Sequence, residues 1–109
     1  MTAEDYKITQ TGSRAVVTMP AEVDAMNAAE IRDALRSAAG SGVTTLIIDM
    51  SGTTFCDSSG VHAVISAYKQ AAATGTEVRL VATTVRRIFR LIGADQLMLT
   101  YPTLQAALA

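Results

Sequence analysis

Residues 46–68 read LIIDMSGTTFCDSSGVHAVISAY: an apolar run, a short stretch crowded with hydroxyls, then a second apolar series. Thr45 to Met50 is almost continuously apolar over a strand's length, the mark of a β-strand covered on both faces. Val61, Val64, Ile65, Tyr68 and Ala72 recur at helical spacing, and Thr74-Gly75 ends that helix. The hexapeptide FCDSSG, residues 55–60, therefore falls in the turn between a central strand and a helix. Open α/β sheets place their ligand and partner sites at such turns.

The flanks extend the same pattern. Tyr6–Gln10 and Arg14–Met19 surround Thr11-Gly12-Ser13, which predicts a hairpin. Pro20 ends its second strand, because proline cannot donate to a ladder. From Asn27 onward Ile31, Leu35 and Ala38 or Ala39 mark a helix, with Arg32, Asp33 and Arg36 on its polar side and Gly40 and Gly42 at its end. Glu77–Ala82 reads as another strand. Thr84 opens a helix with Val85, Ile88, Phe89 and Ile92 inward and Arg86, Arg87 and Arg90 on a solvated face. Gly93 closes it, a brief strand near Leu97–Thr100 follows, and Pro102 starts a terminal helix. A hairpin followed by alternating helix and strand predicts a mixed sheet with helices packed on it.

Composition bounds the function. The chain has 109 residues, half of them apolar and 17% charged, which suits one domain over 1–109 that folds without disulfide or metal staples. Nine basic against ten acidic residues leave a formal charge of −1, so nucleic acid and anionic membrane are not expected partners. Cys56, the single cysteine, has neither a disulfide partner nor zinc-site company and reads as an inert strand-end residue, in keeping with a reducing cytoplasm. The opening MTAEDYK has no apolar segment of a signal peptide, and no apolar run approaches the roughly 18 residues of a membrane span. A cytoplasmic location, with no metal and no cofactor, is the expectation.

The turn itself offers more polar groups than structure requires. One of Asp57, Ser58 and Ser59 suffices to cap the helix by accepting from its orphan N–H groups. A nucleophile elbow needs G-x-S-x-G, and Cys56 stands at the leading position. His62, the single histidine, lies four residues along the same helix and cannot complete a triad. Neither a P-loop nor G-x-G-x-x-G is present. Beside the capping reading stands a hydroxyl that accepts phosphate, since a helix N-terminus tolerates a phosphoserine.

The stretch IIDMSGTTFCDSSGVHAVISAYKQ resembles the signature of bacterial anti-sigma factor antagonists, which are single STAS domains. AEVDAMNAAEIRDAL resembles that family's G-E-L-D segment and first helix, and ATTVRRIFRLIGADQLM its third helix and last strand. Two departures are Ala21, preceded by Pro20, in place of the usual glycine, and His62 in place of a small residue. The resemblance implies an α/β sandwich, a mixed sheet of about four or five strands with helices packed on one face. It implies a non-enzymatic binding module whose Ser58, after Asp57, is phosphorylated by an anti-sigma factor serine kinase. The unphosphorylated form binds that kinase and frees a sigma factor, and a serine phosphatase acting on phospho-Ser58 restores binding. The contact surface so implied comprises Asp57, Ser58, Ser59, Gly60, Val61 and His62, together with Glu22 and Asp24 of the acidic loop after the second strand. His62 on the rim gives such contacts a route to pH sensitivity. The alternative role is a STAS scaffold or sensor module, or an accessory subunit of a membrane transporter.

Overall fold

The computed structural model describes residues 6–40 and 42–109. Strands β1 (Lys7–Thr11) and β2 (Arg14–Thr18) form the hairpin, paired antiparallel with Thr11 opposite Arg14. Gly12 takes φ 60° at the first of the two loop positions, as a II′ turn requires, a conformation costly for any residue with a Cβ. Then come β3 (Glu22–Val23), α1 (Ala28–Ala38), β4 (Thr45–Met50), β5 (Phe55–Cys56), α2 (Ser58–Ala73), β6 (Glu77–Ala82), α3 (Arg86–Leu91), a 3-10 turn at Ala94–Gln96, β7 (Leu99–Tyr101) and α4 (Leu104–Leu108). The main sheet has the order β1-β2-β4-β6-β7, parallel from β2 onward. Strands β3 and β5 form a separate parallel pair. The mixed five-stranded sheet carrying packed helices is the architecture expected from the sequence.

Strand alternation distributes the core. Leu46, Ile48 and Met50 of β4 point to one face, with Ala15, Val17 and Leu80, and meet Ile31 and Leu35 of α1, Val64 and Ala67 of α2, and Phe89 of α3. Each fully buried side chain of this size contributes about 1.5–3 kcal/mol. Ile47 and Val81 point to the opposite face, where Ala107, Leu104 and Leu108 of the short α4 cover them. Thus β4 is covered on both sides, as its nearly continuous apolar run predicts. Helices α1 to α3 share one face as expected, whereas the short α4 covers the other, a departure from helices on one face alone, because Ile47 and Val81 point that way and need cover. Two arginines hold α4 there: Arg79 donates from Nη1 to the Ala107 carbonyl at 2.6 Å, and Arg14 from Nη1 to that of Leu108 at 3.2 Å. Both cations sit at the carbonyl end of the helix, where its dipole favours positive charge.

Several boundaries differ from the sequence expectation. Tyr6 precedes β1, and Thr84 and Val85 form a turn before α3. Ile92, expected inward, is 52% exposed because α3 ends at Leu91 and the chain turns away at Gly93. In α2 the inner stripe ends on Ala71, not Ala72, since the helix presents Val61, Val64, Ala67 and Ala71 to the sheet. Strand β7 starts at Leu99 because the 3-10 turn occupies Ala94–Gln96. Among the described residues no helix is long and apolar enough to cross a membrane.

Candidate functional site: the strand–helix turn at Ser58

The turn is assembled from two segments far apart in sequence. Glu22 pairs with Phe55 and Val23 with Cys56, so the acidic segment lies alongside the residues that lead into α2. The Asp57 amide donates to the Val23 carbonyl at 3.2 Å, and those of Thr54 and Phe55 to that of Ala21 at 2.8 and 3.3 Å. Thr53, fully buried, donates its hydroxyl to the Pro20 carbonyl at 2.8 Å. Glu22, expected in a loop, therefore belongs to a two-residue strand, and its side chain is exposed.

Asn27, also buried, fixes the next loop. Its Oδ1 accepts from the Asp24 amide at 3.0 Å, and its Nδ2 donates to the Glu22 carbonyl at 2.9 Å. Asp24 in turn accepts the Met26 amide at 2.9 Å, which is ordinary Asx-turn chemistry. The sequence marked Asn27 only as a helix start. In the structure its side chain points back into the loop and makes no capping bond to α1.

The surplus of polar groups in FCDSSG resolves residue by residue. Asp57 is the N-cap of α2, its Oδ1 accepting the Gly60 amide at 3.1 Å. A carboxylate there also meets the positive end of the helix dipole. Ser58 is the first residue of the helix and exposed, and Ser59 is half-buried. Among the described residues neither hydroxyl has a hydrogen-bond partner. Ser58 is thus released from structural duty by the acid before it.

Gly60 and Val61, expected among the contact residues, are buried and face inward. A Cβ on Gly60 would stand 2.8 Å from both the carbonyl oxygen and Cγ1 of Val23. Glycine is needed because α2 crosses β3 too closely for a side chain. These two residues seat the helix that presents Ser58. Cys56 is buried beside them, and burial first, the Asp57 charge second, push its thiol up to about 12 from 9.0. A thiol so shifted is no nucleophile at neutral pH.

His62 is exposed, one helical turn after Ser58, and the two line an open groove of about 550 Å³ between α1 and α2. Arg32 of α1 forms part of the opposite wall, over a floor of alanines. The sequence marked Arg32 only as part of the polar side of α1; the packing of α1 on α2 puts it in the same groove as Ser58. Met26, 80% exposed, follows Ala25 of the groove wall, and Phe55, 51% exposed, precedes the turn. No cluster of three or more His, Cys, Asp or Glu suited to a metal exists among the described residues. Among the described residues no side-chain hydrogen bond links His62 to either serine, so this geometry presents a hydroxyl without activating it.

The STAS domain family model matches residues 5–107, and the chain belongs to that family. No curated protein matches its sequence. Among solved structures, an anti-sigma factor antagonist from Mycobacterium paratuberculosis is 27% identical, with a TM-score of 0.81 over 99% of this chain and 96% of its own. The anti-sigma factor antagonist SpoIIAA in its unphosphorylated form is 26% identical, with a TM-score of 0.77 over 94% of this chain and 92% of its own. The Bacillus cell fate determinant SpoIIAA in its phosphorylated form is 25% identical, with a TM-score of 0.72 over 94% and 96%.

Proposed function

We propose that this chain is an anti-sigma factor antagonist acting in the cytoplasm as a non-enzymatic, phosphorylation-switched binding module. In its unphosphorylated form it binds an anti-sigma factor serine kinase and so frees a sigma factor. The kinase transfers phosphate from ATP to Ser58 and binding is lost; a serine phosphatase restores it. The observation that carries this reading is the exposed Ser58 hydroxyl, free of hydrogen bonds among the described residues while Asp57 caps the helix. A modification at Ser58 therefore breaks no bond on which the fold depends.

The partner surface in this reading surrounds that hydroxyl: Glu22, Asp24, Asp57, Ser59 and His62 supply polar contacts, and Gly60 and Val61 fix the helix beneath. Met26 and Phe55 add exposed apolar surface of the kind that interfaces bury. The likeness to SpoIIAA, solved both with and without phosphate, supports the switch. The test is peptide mapping of the protein after incubation with its kinase and ATP. One phosphate on Ser58 is expected. Phosphate confined to Ser59 or Thr54 overturns the assignment. In a pull-down from native cells the wild type should retain the kinase and Ser58→Asp should lose it.

A further inference from the structure

The groove beside Ser58 has a definite charge. Its lining includes one cation, Arg32, and one group that can become one, His62, and no carboxylate. Ser58, Ser59 and Ser66 supply hydroxyls, and the rest of the lining is alanine. His62 stands four residues after Ser58 on α2, a spacing that puts side chains on one helix face with Cβ atoms about 5–6 Å apart. Arg32 approaches from α1. Its ion pair, with the adjacent Asp33 at 3.4 Å between exposed side chains, is of the weak kind. The groove thus has room, a cation and an imidazole, and Ser58 is where an anion would be attached.

We infer that Arg32 and His62 form an intramolecular clamp for the phosphate of phosphorylated Ser58, drawing it into the α1–α2 groove. This rests on Ser58 being the acceptor and adds where the phosphate goes. Guanidinium suits a phosphoryl group because it offers paired donors. The start of α2 adds the amides of Ser58 and Ser59, which have no intrahelical acceptor. Clamping has a direct consequence for the switch. The phosphate fills the groove and neutralises the cations lining it, removing both from any partner that would use them.

Charged groups flank the clamp on both helices: Glu30 and Asp33 on α1, and Asp57 at the head of α2. Asp57, at the head of α2, is engaged with the Gly60 amide. On its other side His62 shares a second groove with Arg36 and Lys69. Arg36 is tied to the Ser66 hydroxyl at 2.9 Å. Asp33 is paired with Arg32, and Asp57 adjoins Ser58 outside the groove lining, so the groove itself offers a phosphate Arg32 and His62 and no carboxylate.

The experiment uses the full chain with phosphoserine placed at position 58 during translation, titrated by phosphorus NMR. A free phosphoserine loses its second proton near pH 6, at about pKa 6. The clamp should lower that midpoint by roughly half a unit or more relative to Arg32→Gln/His62→Gln, with each single variant in between. The Arg32 side-chain N–H resonance should also move on phosphorylation at neutral pH. Equal midpoints in wild type and double variant overturn the clamp. Because the phosphate is installed without a kinase, that result leaves the acceptor assignment standing; an acceptor other than Ser58 in peptide mapping would overturn the assignment and leave the titration unaffected.

Discussion

Replacing Gly60 with alanine sets two effects of opposite sign against each other. On helix propensity alone, alanine stabilises α2 by about 1 kcal/mol. Packing opposes it. The added Cβ would lie 2.7 Å from Cys56 Sγ and 2.8 Å from both Cγ1 and the carbonyl oxygen of Val23. Carbon atoms at van der Waals contact rest about 3.5–4.0 Å apart, so the approach to Val23 Cγ1 is too close by about 1 Å. A thiol can swing aside, but Val23 cannot. Its carbonyl is held by the Asp57 amide at 3.2 Å, and its β-branched side chain has few rotamers. The N-terminus of α2 must withdraw instead. Overpacking of this kind costs about 1–3 kcal/mol, and contact with backbone on one side places it at or above the upper end. A net loss of about 2 kcal/mol after the propensity gain corresponds to a melting temperature lower by about 8 °C. Urea titration followed by circular dichroism, with a thermal melt alongside, measures both. A Gly60→Ala protein that melts at or above the wild type would refute the argument, because propensity would then have prevailed and α2 would not be seated by that contact.

The capping assignment predicts unequal effects within one turn. Asp57→Ala should cost about 0.5–2 kcal/mol, and Ser58→Ala should stay within about 0.5 kcal/mol of wild type in the same melts. Cys56 should resist alkylation in the native protein at neutral pH and react once urea unfolds it. Its raised thiol pKa also sets a sign for alkaline stability. The unfolded thiol ionises near 9.0 while the folded one holds its proton to about 12, so its contribution is complete below pH 9 and is lost progressively as pH rises towards 12. The difference in unfolding free energy between wild type and Cys56→Ala should narrow over that range.

Much of the fold was legible because long elements carry strong periodicity. The nearly continuous run at Thr45–Met50 identified a strand covered on both faces, and Ile47 against Leu46 and Ile48 shows why: alternate residues feed different cores. The β3–β5 pair was not legible, since two residues have no period, and Glu22 carried only a turn's composition. Ile92 fitted a helical stripe in sequence, but the stripe outlasts the helix. At the site, Asp57-Ser58 was legible as a local motif. Arg32 was not, because a charge on the polar side of α1 gives no sign that α2 packs against it. Asn27 was read as a helix start and does stand at the N-cap position of α1, but its loop-bracing side chain was not legible, because a cap and a loop brace use the same residue types. What local chemistry encodes could be read; what depends on two helices meeting could not.

The central claim is that phosphate on Ser58 abolishes partner binding without unfolding the domain. A phosphoserine adds about −1.5 to −2 charge at neutral pH. A single partner acid about 4 Å from it contributes repulsion of roughly 4 kcal/mol per charge pair at an effective dielectric near 20. A thousandfold loss of affinity needs about 4 kcal/mol. The direct measurement is calorimetric titration of the cognate kinase with the unphosphorylated and Ser58-phosphorylated proteins, with circular dichroism and melting curves of both. The account predicts superimposable spectra, closely matched melting and affinity lower by about a thousandfold or more for the phosphorylated form. Equal affinities, or a phosphorylated protein that melts many degrees lower, would contradict it.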